Sequence, residues 1–167
     1  SYEYDTRCPI NLTANVIQGK QWLDNDIESE IRYLIVNEKY DLVLPFMNEA
    51  TILLSNIKRD YNISSICVSE PVTTEICLNK KLFEGHFRNS NIENYYPFDD
   101  GNEVVIKPIF GFGSRGISFM DRAPKLADLS ENYIIQKRIK GKEFSVDCYF
   151  DKGSNLVGLV PRERIKV

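Results

Sequence analysis

Two segments in the first third of the chain place apolar residues at helical spacing. The apolar positions of the first segment are Ile27, Ile31, Leu34 and Ile35. Those of the second segment are Ala50, Leu53, Leu54 and Ile57. Each set forms a stripe along one side of a helix. Residues suited to helix capping precede them, Asp24 or Asp26 in the first case and Asn48 in the second. The pattern therefore predicts two helices, each packed on one face.

Short and continuously apolar runs flank the second of these helices. Asp41–Phe46 precedes the helix and Ser65–Val68 follows it. Uninterrupted apolar runs of this length are typical of parallel strands that are buried on both faces. A strand, a helix and a second strand with a connection of this length predict a right-handed βαβ unit, and hence a parallel sheet.

Beyond residue 72 the pattern changes, first to one more helix and then to strand-like segments. Thr73 or Thr74 can cap this helix, whose one face carries Ile76, Lys80, Phe83 and Phe87. Asn89–Gly101 has the composition of a loop. The remaining predicted elements are strands at Glu103–Pro108, Gly116–Met120, Tyr133–Ile139, Lys142–Phe150 and Asn155–Val160, a short helix at Pro124–Leu129, and a hairpin turn at Asp151–Ser154. A βαβ half followed by a largely antiparallel half predicts an α/β plus α+β architecture.

Composition narrows the class of protein. The chain has 167 residues, of which 43% are hydrophobic and 27% are charged, a balance typical of a globular protein. Its net charge of −3 does not suit a protein that coats nucleic acid, because neutralising phosphates requires clustered Lys and Arg. No apolar run reaches the roughly 20 residues that span a bilayer. The sequence therefore predicts neither nucleic acid nor a membrane as a partner.

The cysteines bear on the cellular compartment. Cys8, Cys67, Cys77 and Cys148 form no CxxC pair, and His86 is the only histidine, so the sequence predicts no zinc site. Cys67 and Cys148 lie in apolar stretches, which favours core thiols over a disulfide. A reduced and cytoplasmic protein is therefore expected.

The segment Val104–Phe119 carries the strongest chemical signal. An apolar strand ends at Lys107, and a glycine-rich loop follows before a second apolar strand. The loop residues of interest are Gly111, Gly113, Ser114 and Gly116. Glycines permit positive φ and let the backbone approach a ligand, and successive N–H groups in such a turn suit an anion. With the charge of Lys107 at its base, the loop is suited to a polyphosphate.

Other phosphate-binding loops differ from this one. The sequence does not match GxxxxGK[ST], and Ile117–Met120 alternates like a strand, whereas a dinucleotide-binding GxGxxG leads into a helix. A glycine-rich hairpin turn that binds nothing stays open as the alternative.

A second constellation lies between Tyr133 and Asp147. An apolar strand containing Gln136 leads into a short polar hinge, and Glu143 opens the next strand seven residues after Gln136. Such a hinge can pair with the edge of a purine through its backbone, while a nearby carboxylate accepts both hydroxyls of a ribose. A plain hairpin with Gly141 at its turn is the alternative.

Taken together, these features resemble the ATP-grasp superfamily, and within it the carbamoyl-phosphate-synthase-like ligases. The resemblance covers about residues 41–167. It rests on the Asp41–Phe46 strand, the Asn79-Lys80 pair, the Lys107-Pro108 strand with its glycine loop, the Gln136-to-Glu143 spacing, the Glu143–Asp147 segment, and Pro161-Arg162-Glu163-Arg164. It implies a partial Rossmann-like N-terminal (pre-ATP-grasp) domain at 1–72, the small ATP-grasp lobe with the glycine-rich loop at 73–135, and the start of the C-terminal large lobe at 136–167.

The resemblance also implies roles for individual residues. The implied ATP contacts are Lys80, Lys107, Gly111, Gly113, Ser114, Gly116, Gln136, Lys137, Ile139 and Glu143. Of these, Lys80 is the first phosphate-contacting lysine, with Lys81 beside it as a substitute, and Lys107 contacts the α- and β-phosphates. The four loop residues form a flexible lid over the phosphates.

The adenosine part of the nucleotide has its own implied contacts. Gln136, Lys137 and Ile139 line adenine, the latter two through backbone groups, and Glu143 binds the ribose. The family usually has an acid where Gln136 stands, and it more often has Asp-Lys where this chain has Asn-Lys. Arg162 and Arg164 are expected to point toward a phosphate or carboxylate of the substrate, as candidate catalytic residues.

Members of the family phosphorylate a carboxylate with ATP, and an amine or similar nucleophile then attacks the acylphosphate. The resemblance thus implies an ATP-dependent ligase with ATP and Mg²⁺ as cofactors and small-molecule carboxylate and amine substrates, and a homodimer as a candidate assembly of the longer protein. The family's magnesium ligands are expected beyond Val167, so this piece alone is expected to be inactive. Two alternatives stay open, a non-catalytic nucleotide-binding regulatory module and an α/β binding domain without nucleotide.

Overall fold

The computed structural model describes residues 1–3, 5, 7, 9–88, 103–111, 113–124, 131–151 and 153–165. The helices are α1 (Ile27–Glu38), α2 (Asn48–Tyr61), α3 (Pro71–Leu78) and α4 (Lys80–Phe87), and a 3-10 turn covers Pro9–Leu12. The strands are β1 (Tyr2–Glu3), β2 (Ile17–Gln18), β3 (Val104–Pro108), β4 (Ser118–Met120), β5 (Tyr133–Lys137), β6 (Phe144–Phe150) and β7 (Leu156–Glu163). This mixture of helices and strands confirms the predicted α and β content. None of the helices in these ranges is long and apolar enough to cross a membrane.

The chain forms two compact units. The first comprises Ser1–Asn94, Pro108–Gly116 and Glu131–Ile134, and the second comprises Tyr95–Lys107, Ile117–Ser130 and Ile135–Val167. Each unit has an apolar cluster of its own. The three-segment division at 72/73 and 135/136 stays a prediction.

The core of the first unit lies between α1 and α2. Its buried residues are Ile27, Ile31, Ile35, Leu54, Ile57 and Ile66. The two apolar stripes thus pack against each other, as the helical spacing predicts. The predicted caps are not formed, because Asp26 makes no side-chain hydrogen bond to α1, and Met47 rather than Asn48 precedes the first residue of α2.

The predicted parallel strand pair is reduced to one bridge. Val43 pairs in parallel with Ile66, and the Val43 N–H donates to the Ser65 carbonyl at 2.9 Å. Ile66 is buried, but Phe46 is 91% exposed, so the prediction of two buried strands is wrong for most of both segments. A strand is buried on both faces only where other strands and helices cover it, and in the described part no further strand joins this bridge. A Rossmann-like fold for 1–72 stays a prediction.

The helix predicted from Thr73 or Thr74 is in fact two helices that meet at Asn79. Thr74 does not cap a helix but lies buried inside α3. Asn79 has an extended backbone, with φ −100° and ψ 107°, which ends α3. Its Oδ1 accepts hydrogen bonds from the N–H groups of Lys81 at 3.0 Å and Leu82 at 3.1 Å, so Asn79 caps α4.

The later strands form two separate sheets. One has the order β4-β3-β5, with β3 and β4 antiparallel, and its core residues are Val104, Ile106 and Ile135. The other is the antiparallel hairpin of β6 and β7. The predicted turn between them is confirmed, since the Asp151 carboxylate accepts from the N–H groups of Gly153 and Asn155.

Several boundaries differ from the predicted ones. β4 begins at Ser118 rather than Gly116, β5 ends at Lys137, and β7 extends to Glu163. The predicted loop at Asn89–Gly101 lies outside the described residues, and so does the predicted helix at Pro124–Leu129 apart from Pro124.

The prediction of buried cysteines is wrong for both thiols. Cys67 and Cys148 are free but exposed. Cys148 lies on β6, whose only pairing in the described part is with β7, and two strands alone leave both faces largely open. A cytoplasmic location stays a prediction.

Candidate functional site

Lys107 and Gln136, on strands β3 and β5, are hydrogen-bonded to each other. The Nζ of Lys107 donates to Oε1 of Gln136 at 2.9 Å. Both side chains are half-buried at the ends of strands whose preceding residues form the apolar cluster of the second unit. The amide is neutral, so this bond fixes the ammonium group in place and leaves its positive charge available to an anion.

The glycine loop, Gly111–Gly116, has positive φ at each residue that the prediction singled out. The φ values are 151° at Gly111, 62° at Gly113, 59° at Ser114 and 71° at Gly116, and all four residues are exposed. A Cβ at Gly113 would meet nothing within 4 Å, so the backbone conformation and not crowding favours glycine there. Phe112 lies outside the described residues. The loop thus offers an exposed backbone turn of the kind that suits phosphate oxygens.

Lys80 is bound to the segment that leads into this loop. Its backbone N–H donates to the Ile109 carbonyl at 3.2 Å, and its Nζ lies 3.4 Å from the same oxygen. The Ile109 N–H in turn donates to the Asn132 carbonyl at 2.8 Å. Since Asn79 caps α4, it fixes Lys80 as the first residue of that helix. Lys80 is therefore half-buried and held two residues before Gly111, unlike a solvated lysine on a helix surface.

The linker, defined here as residues 138–142 between β5 and β6, is attached to Glu103 just before β3. The Arg138 N–H donates to the Glu103 carbonyl at 2.9 Å. The Glu103 carboxylate accepts from Arg138 at 3.1 Å and from Lys140 at 2.7 Å. The guanidinium carbon of Arg138 also lies 4.6 Å from the centre of the Phe119 ring. Ile139, a predicted adenine contact, lies between these two anchored residues and is 59% exposed.

The same contacts explain the acidity of Glu103. The hydrogen bond from Lys140 is the largest cause, and it lowers the pKa of the carboxyl below the ordinary value of 4.5. Desolvation opposes it, and the charges of Lys140 and Arg138 and the hydrogen bond from Arg138 lower the pKa further. Glu103 is therefore an anion at neutral pH.

Glu143 and Arg164 form a pair across the hairpin. Nη1 of Arg164 donates to Oε1 of Glu143 at 2.6 Å, and the Arg164 N–H donates to the Glu143 carbonyl at 2.7 Å. Arg162 is paired with Asp147, with a shortest distance of 2.8 Å. Both predicted substrate-facing arginines thus have carboxylate partners, and all four side chains of these pairs are more than half exposed.

The predicted site residues are brought together only in part. Within the second unit Lys107 contacts Gln136 and Arg164 contacts Glu143. Within the first unit Lys80 contacts the strand end that precedes the glycine loop. Glu103 was not predicted as a site residue, because it lies 35 residues from Arg138 and no local spacing connects the two.

In the part of the chain that the structure describes, no three His, Cys, Asp or Glu side chains lie close enough together to hold a metal ion.

Comparison with known proteins gives one result for this region. A family model for the ATP-grasp domain matches residues 71–167, more than half of the chain. Domains of this family bind ATP, typically with Mg²⁺, and typically belong to ATP-dependent ligases. No curated protein matches the chain. All of the predicted ATP contacts and both predicted arginines lie inside the matched residues.

Proposed function

The chain belongs to the ATP-grasp family, and from that premise we propose that it is the ATP-binding part of a carbamoyl-phosphate-synthase-like ligase. The proposed reaction joins a small carboxylate to an amine through an acylphosphate. The hydrogen bond of 2.9 Å between Lys107 and Gln136 is the observation that carries the proposal. It holds a cation on one strand next to an amide acceptor on the neighbouring strand, inside the matched region.

Lys107 is the proposed contact of the α- and β-phosphates, and Gln136 is the proposed contact of the adenine amino group. An ammonium group has three N–H donors, and the bond to Gln136 uses one, so Lys107 can also donate to the α- and β-phosphates. An amide oxygen, like a carboxylate oxygen, accepts hydrogen bonds from an amino group. Gln136 is therefore the proposed partner of the adenine amino group, at the position where the family more usually has an acid.

The phosphates are proposed to receive further contacts from the glycine loop and from Lys80. The exposed turn at Gly113 and Ser114 supplies backbone N–H groups, and its glycines allow it to adjust to the nucleotide. Lys80 adds a second positive charge, and its bond to Ile109 links that charge to the base of the loop. These contacts would act on the phosphates as negative charge builds up between the attacking and leaving oxygens.

On the sugar, Glu143 is the proposed partner. Arg164 bonds to Oε1 of its carboxylate, and Oε2 has no hydrogen-bond partner among the described residues. That oxygen can accept from the ribose hydroxyls while Arg164 fixes the orientation of the carboxylate. Arg164 thereby gains a positioning role besides the proposed one toward substrate, and Arg162 is the proposed contact of a substrate carboxylate or phosphate.

In the proposed reaction a carboxylate oxygen attacks the γ-phosphorus of ATP and ADP leaves. The amine then attacks the carbonyl carbon of the acylphosphate, and phosphate leaves as the new C–N bond forms. Mg²⁺ is inferred from membership of the family, and when bound it would neutralise charge on the phosphates. The residues of this chain hold and orient the nucleotide and keep positive charge beside its phosphates.

Binding of Mg-ATP tests the proposal directly. Saturating Mg-ATP should raise the melting temperature of the protein, and Lys107→Met should abolish the rise, because a ligand that binds only the folded state stabilises it. Lys39→Asn, which removes one positive charge outside the matched residues, is the control and should keep the full rise. Absence of any rise with millimolar nucleotide would contradict ATP binding. A rise without carboxylate-dependent release of ADP by the full protein would instead favour the regulatory alternative.

A further inference from the structure

Two of the three basic side chains of the linker, Arg138 and Lys140, bind the carboxylate of Glu103. Lys140 donates to Oε1 and Arg138 donates to Oε2, and the Glu103 carbonyl also accepts from the Arg138 N–H. Each oxygen thus has its own cationic partner, and the linker is attached at a backbone atom as well as at two side chains. The partners lie 35 and 37 residues along the chain from Glu103, so these contacts tie the linker to the start of β3.

Phe119 completes the attachment. The guanidinium of Arg138 lies over its ring at 4.6 Å while the same group bonds to Glu103. The exposed fractions of the Arg138 and Glu103 side chains are 37% and 35%, against 74% and 44% for Lys142 and Glu163, a pair that joins the last linker residue to β7. The Arg138 contact is therefore less screened by solvent than an ordinary surface ion pair, whereas the Lys140 side chain is 70% exposed.

The residues attached to Glu103 flank the proposed backbone contacts of adenine. Ile139 and Lys137 are the proposed backbone partners of adenine, and Arg138 lies between them while Lys140 follows Ile139. A backbone segment that is fixed before the ligand arrives loses less entropy on binding than a free one. The bond from the Arg138 N–H to the Glu103 carbonyl holds the backbone before Ile139, and the Lys140 side chain restrains the residue after it.

We propose that Glu103 is a positioning residue for the nucleobase, which holds the linker in the one register that pairs with adenine and so sets the preference for ATP over GTP. The inference rests on the proposed function, since it assumes that the linker lines the base. Adenine presents an amino donor and a ring acceptor at the edge where guanine presents a carbonyl acceptor and an N–H donor. A fixed linker therefore favours one base, whereas a mobile linker can reorient to suit either.

The test compares three ligands on the full chain, namely Mg-ATP, Mg-GTP and inorganic tripolyphosphate, by calorimetry. Glu103→Gln should weaken ATP binding by about fivefold, with a smaller change for GTP, so that the ratio of the two affinities falls. Tripolyphosphate lacks a base, and its affinity should not change. Glu163→Gln is the matched control: it releases only Lys142, the last linker residue, which lies beyond the proposed adenine contacts at Lys137 and Ile139, and it should leave the ATP to GTP ratio at the wild-type value.

A second variant keeps the test decisive if Glu103→Gln does not fold. Lys140→Met removes the more exposed of the two cations, and it should also lower the ratio of ATP affinity to GTP affinity. Equal loss of ATP and tripolyphosphate affinity would overturn the inference, because it would indicate a general structural effect. So would an unchanged ratio in a folded variant. If the wild-type chain binds tripolyphosphate but discriminates against neither base, the inference fails while phosphate binding stands; if it binds none of the three, the proposed function itself fails.

Discussion

Glu143 and Arg164 are joined twice, by a side-chain bond of 2.6 Å between Nη1 and Oε1 and by a backbone bond of 2.7 Å from the Arg164 N–H to the Glu143 carbonyl. The backbone bond sets the two residues opposite each other at the open end of the hairpin, beyond the Phe144–Glu163 pair. The side-chain bond then orients the carboxylate. A residue proposed to bind ribose is thus held by a residue that the sequence argument had assigned to the substrate.

This relationship predicts how the protein distinguishes sugars. Arg164→Met should leave Glu143 without a fixed orientation and lower the preference for ATP over 2′-deoxy-ATP by about threefold, the size of a weakened hydrogen bond. Competition binding with the two nucleotides measures the ratio. Arg162→Met is the control, because Arg162 pairs with Asp147 and does not contact Glu143. A ratio that changes equally in both variants would contradict the positioning role.

The bond between Lys107 and Gln136 should be measurable as a coupling energy. Lys107→Met and Gln136→Leu each remove one partner, and their double-mutant cycle should give a coupling of about 1 kcal/mol, reduced from the value for a fully buried charged hydrogen bond because both side chains are only half-buried. Denaturant unfolding of the four proteins provides the free energies. Strictly additive effects would show that the bond contributes nothing to the folded state.

Asn79 predicts a local effect on α4. Asn79→Ala removes the acceptor for the N–H groups of Lys81 and Leu82 and should destabilise the protein by about 1 kcal/mol. Asn79→Asp keeps the acceptor and should retain most of the stability. Hydrogen exchange at the Lys81 and Leu82 amides measures the cap, and both amides should exchange faster in the Ala variant alone. Equal exchange in all three proteins would be evidence against the cap.

Asn79 also shows where the sequence argument reached its limit. Ile76, Phe83 and Phe87 lie at helical spacing with Lys80 on the same face, so periodicity alone predicts one helix. The interruption comes from a single extended residue whose side chain accepts from the next N–H groups, and the Lys80 N–H donates to the Ile109 carbonyl, a partner distant in sequence. By contrast, α1 and α2 could be predicted because their stripes face each other in one core.

Contacts distant in sequence set the other limit. The apolar runs at Val43 and Ile66 correctly predicted parallel pairing, but a run of apolar letters does not say what will cover it, and Phe46 is exposed. The glycine loop was recognisable because glycine at positive φ is a local requirement. Glu103 was not, because its partners lie more than 30 residues away along the chain.

Glu103 also predicts a pH dependence. Its pKa is lowered in the folded protein, so its pairing stabilises the fold at pH values above the ordinary value of 4.5 and this contribution is lost as the pH falls through the lower, folded-state pKa. Lys140 is the largest cause of the shift, so Lys140→Met should move the pKa of Glu103 back toward 4.5. Carbon-detected NMR titration of the carboxyl group measures it. A pKa that is the same with and without Lys140 would show that this contact is not kept in solution.

Two glycines in the first unit should respond in opposite ways to the same substitution. Gly113 has φ of 62° and open space around it, so Gly113→Ala meets no steric clash but forces an L residue into the left-handed region, at a cost of about 1 kcal/mol. Gly85 lies inside α4, also with nothing within 4 Å of an added Cβ, so Gly85→Ala should stabilise the protein by about 0.5 to 1 kcal/mol. Thermal unfolding compares the two directly. If the loop wraps phosphate, Gly113→Ala should also weaken binding of inorganic tripolyphosphate while Gly85→Ala should not, because only the first substitution restricts a backbone that must adjust to the anion. Equal tripolyphosphate affinity in the two variants would mean that the turn at Gly113 does not contact the ligand.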